Sequence, residues 1–74
     1  MSEVDMTGLK CPLPVLKARK MLKSLEVGDE LRVLATDPSA PGDFAAFCAE
    51  AGHELVESGE EDGLLVVLIR KGGE

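Results

Sequence analysis

The 74-residue sequence predicts a small α/β fold with the element order β-α-β-α-β-β. Two stretches carry apolar residues at helical spacing, and four show the alternation or continuous apolarity typical of strands. The length suits one domain, so we expect residues 1–74 to form a single unit. Hydrophobic residues make up 45% of the chain, almost all of them Leu, Val and Ala, which suffices for a compact core.

The first half of the chain is predicted to form a strand, a helix and a second strand. Residues 4–6 alternate as a short strand, and Thr7-Gly8 supplies a bend. A helix is expected from about Pro12 to Leu25, because a proline at the first helical position needs no amide donor. Residues 30–36 alternate as the second strand. The helix has one apolar arc, formed by Val15, Ala18, Met21, Leu22 and Leu25.

The second half is predicted to form a helix followed by two strands. The turn-rich segment 37–42 leads into the helix, and Gly52 is expected to end it. Residues 53–58 and 64–70 are the predicted strands, the second of them interior to the sheet, and residues 59–63 are the predicted hairpin loop. The helix has a core-facing stripe, formed by Phe44, Phe47, Cys48 and Ala51.

The charge distribution distinguishes the first helix from the rest of the chain. A net charge of −6 argues against general nucleic-acid binding. Residues 10–23 nevertheless contain five basic residues and no acidic one, whereas residues 24–62 contain eleven acidic residues and Arg32 as the sole base. Two interpretations stay open, a solvated helix face or a docking strip for an acidic protein or an RNA backbone. The basic residues are Lys10, Lys17, Arg19, Lys20 and Lys23.

The first residues of the chain do not have the composition of a signal peptide. Residues 1–5 are acidic and lack a signal-peptide pattern, and no apolar run reaches the length of a membrane span. We therefore expect a cytoplasmic protein without a membrane partner. Two free thiols are consistent with that reducing compartment. Gly72-Gly73 is predicted to be a frayed tail.

Cys11 is the candidate reactive residue. It lies where the first strand passes into the first helix, and a thiol at a helix N-terminus can be held as thiolate. If Cys11 is the N-cap, the amides of Leu13 and Val15 point at its sulfur. The alternative is a small buried hydrophobe, the usual role of a free cysteine. That structural role is the one we assign to Cys48, which lies inside the core-facing stripe of the second helix.

The remaining candidates add no further catalytic group. The two cysteines give neither a CxxC pair nor a zinc-ligand spacing, so no metal or other cofactor is expected. His53 follows a helix end and is interpreted as a cap or surface residue. Leu13 and Leu16 fall among the lysines rather than on the apolar arc, so they are predicted to be exposed. Two interpretations stay open, ordinary surface leucines or a contact with a partner. The predicted docking residues are Lys10, Leu13, Leu16, Lys17, Lys20 and Lys23.

The segment Gly8-Leu9-Lys10-Cys11-Pro12-Leu13-Pro14-Val15, with Asp5 before it, resembles the Cys-Pro-x-Pro motif of the TusA-like (SirA/YedF-like) sulfur-carrier proteins. Residues 37–55 and 68–73 are also similar to the family pattern. The resemblance implies a two-layer α/β (α+β) sandwich, with two helices on one face of a four-stranded mixed sheet. Within the motif, Gly8, Pro12 and Pro14 take the structural positions around the catalytic Cys11.

The family's activity implies a sulfurtransferase that acts as a stoichiometric relay. By this resemblance, Cys11 accepts sulfane sulfur as a transient persulfide from a cysteine desulfurase or a rhodanese-type donor, and passes it to an acceptor protein. The acceptor pathways of the family are tRNA thiolation, molybdenum-cofactor assembly and sulfur oxidation, and the sequence does not choose among them.

Two other functions remain as alternatives at this point. The first is a non-catalytic interaction or regulatory module that docks through the basic helix, residues 10–23. The second is a ubiquitin-like sulfur carrier, which would use Gly73 as a terminal thiocarboxylate after loss of Glu74. The first needs no thiol at all, and the second places the sulfur at the opposite end of the chain from Cys11.

Overall fold

The computed structural model describes residues 2–73 and has the predicted element order. The sheet order is β1-β2-β4-β3, with β1 parallel to β2 and the other two pairs antiparallel, so the mixed sheet is confirmed. Within the described part of the chain, no helix combines the length and apolarity needed to cross a bilayer. The elements are β1 Ser2–Met6, α1 Leu13–Lys23, β2 Glu30–Ala35, α2 Ala40–Ala51, β3 Glu54–Glu61 and β4 Leu64–Arg70.

One hydrophobic cluster joins the two helices to one face of the sheet. Leu31, Val33 and Ala35 of β2 are fully buried, as their alternation predicts, because successive side chains of a strand point to opposite faces. The central strand β4 adds further buried side chains, and α1 and α2 cover them from the same side. The helical core residues are Ala18 and Leu22 of α1 and Ala40, Phe44, Phe47 and Cys48 of α2.

Helix α1 is shorter than predicted, and its first turn contains a buried proline. It begins at Leu13 and ends at Lys23, and the amides of Ser24 and Leu25 bond to the carbonyls three residues earlier, at 3.1 Å each. Pro14 is buried although the apolar arc did not include it. Helix α2 ends as predicted, because Gly52 takes a left-handed φ of 83° and its N–H donates to the Cys48 carbonyl at 3.0 Å.

The predicted hairpin loop, residues 59–63, is wrong. Gly59, Glu60 and Glu61 belong to β3 and pair with residues 64–66 of β4. Only Asp62 and Gly63 reverse the chain, with φ values of 52° and 82°. An Asp-Gly pair with two positive φ angles forms the two-residue turn that matches the twist of a hairpin. The Asp-Gly pair therefore sets the position of the turn, although the polar residues before it have the composition of a loop.

The prediction of a frayed C-terminal tail is also wrong as far as Gly72. The Lys71 N–H donates to the Asp29 carbonyl at 2.8 Å, and the Lys71 carbonyl accepts from Gly28 at 3.0 Å. The Gly72 N–H then donates to Nδ1 of His53 at 3.0 Å. Glu74, on which the thiocarboxylate alternative depends, lies outside the described residues. Lys71 and Gly72 are therefore held by backbone hydrogen bonds, and Gly72 lies against the end of α2.

Candidate functional site

The site lies where the two parallel strands end. Because β1 and β2 run in parallel, the loops that follow them meet at the same edge of the sheet. Gly8 makes the first bend with a φ of 84°, and its N–H donates to Oγ1 of Thr36 in the second loop at 2.9 Å. Before that bend, the Asp5 carboxylate accepts from the Thr7 N–H and hydroxyl at 2.9 and 2.7 Å. The bond between Gly8 and Thr36 joins the two loops, and Leu9 and Lys10 lie beside the second loop.

Cys11 is exposed and is held through its backbone by Asp37. The Cys11 N–H donates to Oδ2 of Asp37 at 2.6 Å. Oδ1 of Asp37 accepts from both the N–H and the hydroxyl of Ser39, each at 3.0 Å. The pKa of Asp37 is held below its usual value, chiefly by the Ser39 N–H and then by the Cys11 N–H. This carboxylate is therefore ionised and lies beside the thiol.

Cys11 is not the N-cap of α1, which was the condition for the helix amides to point at its sulfur. Pro12 is the N-cap of α1, and Cys11 precedes it through a cis peptide bond. The Leu13 N–H, which was predicted to face the sulfur, instead donates to the Lys10 carbonyl at 2.8 Å. One of the two amide donors assigned to the thiol is thus already used by the turn that precedes α1.

The electrostatic surroundings of the thiol are acidic rather than basic. Asp43 lies in the first turn of α2, where a carboxylate is favourable, and it accepts from the Ser39 hydroxyl at 3.3 Å. The pKa of Cys11 is raised, first by the interaction of its thiol with the nearby Asp43 carboxylate, then by partial desolvation and by the charges of Asp43 and Asp37. The neighbouring Ser39 hydroxyl has a smaller effect on this pKa and acts in the opposite direction. The prediction of a thiolate stabilised by the helix end is therefore wrong, and the resting group is the neutral thiol.

A cleft of about 230 Å³ opens beside the sulfur, between the two helices. Arg19 of α1 is its only basic residue, and Asp43 and Glu50 of α2 are its acidic residues. The remaining walls are apolar, from residues such as Val15 and Phe47. The cleft gives the side chain of Cys11 room to carry an additional atom while staying open to solvent.

Replacing Asp43 with asparagine is expected to lower the pKa of Cys11, because it removes the main contact that disfavours the thiolate. The thiolate is the species that iodoacetamide alkylates. Alkylation at pH 7 should become roughly three- to tenfold faster, the range expected when one carboxylate is removed beside an exposed thiol. The pH at which the rate reaches half its maximum should fall accordingly.

Glu50→Gln is the matched control for this variant. Glu50 lines the same cleft but is not among the groups that shift the pKa of Cys11. Its alkylation profile should therefore follow that of the wild-type protein. Equal shifts in Glu50→Gln and Asp43→Asn would contradict a specific contact between Asp43 and the thiol.

The predicted docking residues within α1 follow one exposed side of the helix. Leu13 and Leu16 are 52% and 51% exposed, which confirms their predicted exposure. Lys17 and Lys20 share their face, because residues three and four apart are neighbours on a helix. Lys23 follows Lys20 by three positions, and it also lines a cavity together with Arg19. Lys10 is exposed beside Cys11, and its charge helps to lower the pKa of Asp37.

Three residues at the site were missed by the sequence analysis, namely Asp37, Ser39 and Asp43. All of them belong to the loop after β2 or to the first turn of α2. The sequence feature that could have indicated them is the Asp-Pro-Ser segment, because an aspartate in such a segment commonly accepts hydrogen bonds from the turn that follows it. The parallel pairing of β1 and β2, which puts this loop against Cys11, was not predicted.

Cys48 does not line the cleft beside Cys11 and lies in the hydrophobic core. It is 2% exposed, and burial raises the pKa of its thiol. The sequence interpretation of a structural cysteine is confirmed by its burial. The two thiols of the chain thus differ in the property that a sulfur exchange with another protein depends on, which is access.

The profile of the family described as Sulfurtransferase TusA matches residues 2–71, nearly the whole described chain. The chain belongs to the TusA family. The sulfur carrier protein TusA of Allochromatium vinosum is 49% identical to it over 69 residues, which are 93% of this chain and 91% of that protein. TusA of Pseudomonas aeruginosa is 47% identical over 68 residues, with 92% and 86% covered. A Neisseria meningitidis protein is 52% identical over 67 residues, 90% of each chain.

A solved structure supports the same assignment for the fold. The crystal structure of a SirA-like protein from Desulfitobacterium hafniense superposes with a TM-score of 0.87 at 31% identity, covering 97% of this chain and 99% of that one. The predicted two-layer sandwich of the TusA-like proteins is therefore confirmed. Membership in the TusA family gives this protein a sulfur-relay role.

Proposed function

We propose that Cys11 is the residue that carries the sulfur, as a cysteine persulfide, and that the protein acts as a stoichiometric sulfurtransferase without a further cofactor. The observation that supports this is the contrast between the two thiols. Cys11 is exposed at the edge of a cleft, whereas Cys48 is buried in the core. A relay between proteins needs a sulfur atom that two partners can reach in turn, and Cys11 meets that need.

The transfer step is an exchange between two sulfur atoms. Sγ of Cys11, as thiolate, attacks the outer sulfur of a persulfide on the donor protein. A new bond forms between Sγ and that sulfur, and the donor's own sulfur–sulfur bond breaks. The donor cysteine leaves as a thiolate and takes up the proton that Cys11 released. No electron donor or acceptor is required, because one sulfane sulfur simply changes its partner.

The carboxylates around the thiol set the resting state of the carrier. Asp43 and Asp37 favour the neutral thiol, so the thiolate is a minor species near pH 7. A neutral thiol is slow to react with oxidants and with chance electrophiles. The rate of sulfur uptake should therefore rise with pH until it passes the raised pKa of Cys11. In the free carrier, the carboxylates therefore lower the nucleophilic reactivity of the Cys11 thiol.

The exposed face of α1 beside Cys11 is the proposed docking surface for the partners. It combines the apolar side chains of Leu13 and Leu16 with the charges of Lys17 and Lys20. Lys10 extends it next to the thiol, and Lys23 adds charge at the far end of the helix. A partner with an acidic rim fits such a face. The proposed partners are a cysteine desulfurase or rhodanese-type donor and a downstream acceptor protein in the cytoplasm.

The double variant Lys17→Glu/Lys20→Glu tests this docking surface. Reversing both charges should slow association with the donor roughly tenfold or more at low salt, because charged surfaces steer encounter more than they add affinity. The rate of sulfur uptake should also lose most of its dependence on salt. Stopped-flow measurement of uptake between low and high ionic strength gives both quantities.

High ionic strength is the internal control for this variant. Screening shortens the reach of the charges, so the wild-type and variant rates should converge. A deficit that persists at high salt would mean that the substitutions act through structure. A protein in which Cys11→Ser keeps full function and only the charge reversal abolishes it would be an interaction module rather than a carrier.

A further inference from the structure

A second cavity lies between α1, the end of α2 and the docked C-terminal tail. Its volume is about 440 Å³, and it adjoins the cleft of Cys11 because Arg19 and Phe47 line both. Its polar lining consists of the side chains of Arg19, Lys23, His53 and Lys71, and no carboxylate of the described chain lines it. The chain has fourteen acidic residues, so a cavity lined by basic side chains and no carboxylate differs from the rest of its surface.

Three of the four polar groups are fixed by contacts around the cavity. The Arg19 guanidinium lies 5.6 Å from the centre of the Phe47 ring. The Phe47 and His53 rings are 5.4 Å apart. Nδ1 of His53 accepts the Gly72 N–H at 3.0 Å, so the neutral ring carries its proton on Nε2 and keeps a donor there. Lys71 donates one of its three protons to the Leu25 carbonyl.

The positive charges at the cavity have no acidic partner among residues 2–73. The salt bridges of this part of the chain all involve Arg32 or Arg70, on the opposite side of the sheet. Burial, followed by the charge of Lys71, lowers the pKa of His53, so the imidazole stays a neutral donor near pH 7. Like charges gathered around a cavity repel one another, and an anion placed among them relieves that repulsion.

We propose that this cavity binds a phosphate-bearing small molecule. A guanidinium and a phosphate form two parallel hydrogen bonds, and two ammonium groups with an imidazole N–H can satisfy the remaining oxygens. The cavity has room for an organic substituent as well as the phosphate. A long nucleic acid is the less suitable source of the phosphate, since the net charge of −6 repels a polyanion. The site does not use Cys11, so it stands independently of the proposed sulfur chemistry.

The test is a titration of the full chain with inorganic phosphate and with adenosine monophosphate, followed by amide chemical shifts in NMR spectra. Saturable shifts should be centred on Ala51, His53 and Gly72. Sodium chloride at the same ionic strength should produce none of them. Tighter binding of the monophosphate than of inorganic phosphate would identify an ester as the ligand, and the reverse order would identify free phosphate.

Two charge-matched double variants decide the location. Arg19→Gln/Lys23→Gln should weaken phosphate binding more than roughly tenfold, because hydrogen bonds to charged groups are the strong ones. Lys17→Gln/Lys20→Gln removes the same charge from two positions of the same helix that do not line the cavity, and should change binding less than about twofold. The amide spectrum of each variant verifies that it is folded, and Cys11→Ser should bind phosphate as the wild-type protein does.

Three outcomes would overturn the proposal. The first is the absence of saturation beyond the effect of chloride. The second is an equal loss in both double variants, which would indicate attraction by the positive charge of α1 in general rather than by the cavity. The third is equal affinity for succinate, which would indicate a surface for carboxylate side chains of a partner protein. None of these outcomes bears on whether Cys11 accepts sulfur.

Discussion

Replacing Cys11 with alanine is expected to abolish sulfur loading, whereas replacing Cys48 with alanine is expected to leave loading intact. Cys11 supplies the only exposed thiol of the chain, and no other side chain at the cleft can form a persulfide. The loss should be complete rather than partial, since the substitution removes the atom that forms the new bond. Transfer of radiolabelled sulfur from cysteine, through a cysteine desulfurase, measures it directly.

The Cys48 variant is the control for both folding and thiol count. Cys48→Ala removes a buried sulfur, which should cost about 1–2 kcal/mol of stability, so loading is measured well below the melting temperature. Cys11→Ala removes an exposed side chain and should melt close to the wild-type protein. Label that follows Cys48 instead of Cys11 would overturn the assignment of the carrier residue.

Replacing Gly72 with alanine is expected to destabilise the fold strongly. A Cβ at this position would lie 1.7 Å from the Gly52 carbonyl oxygen and 2.7 Å from its carbon. Both are backbone atoms, and Gly52 is fixed in its left-handed conformation as the cap of α2. Relieving the overlap requires the tail to leave its place, at an expected cost of about 2–3 kcal/mol. For a domain of this size, that corresponds to a fall in Tm of roughly 10–20 °C.

Gly73→Ala is the matched control for the tail. Its added Cβ would meet nothing within 4 Å, so its Tm should stay at the wild-type value. Thermal unfolding followed by circular dichroism compares the two neighbouring substitutions. If Gly72→Ala melted together with Gly73→Ala, the docking of the tail against α2 would be contradicted. The hydrogen bond between Gly72 and His53 would then have no structural consequence.

Much of the fold could be predicted because its elements follow the spacing of apolar residues. Leu31, Val33 and Ala35 show the period of a strand, and the stripe from Phe44 to Ala51 shows that of a helix. The hairpin was misplaced because Gly59 and its acidic neighbours read as loop by composition. Pairing with β4 overrides that composition, since an edge strand tolerates charged residues.

Only the part of the site whose residues are adjacent in sequence could be predicted. Cys11 could be found because the strand, the bend and the prolines around it adjoin in sequence. The acids that control its thiol lie 26 and 32 positions later, and only the parallel pairing of β1 and β2 brings that loop to the cysteine. The tail was misjudged for the same reason, because the partner of Gly72 is His53, on the far side of a hairpin.

The most direct test of the central claim is to locate the transferred sulfur in the wild-type protein. The carrier is incubated with a cysteine desulfurase and cysteine, the persulfide is trapped with an alkylating reagent, and the digested peptides are mapped by mass spectrometry. If Cys11 carries the sulfur, one additional sulfur atom is expected between Cys11 and the reagent, with the peptide of Cys48 unchanged. Sulfur found on the Cys48 peptide, or at the C-terminus as a thiocarboxylate, would contradict it.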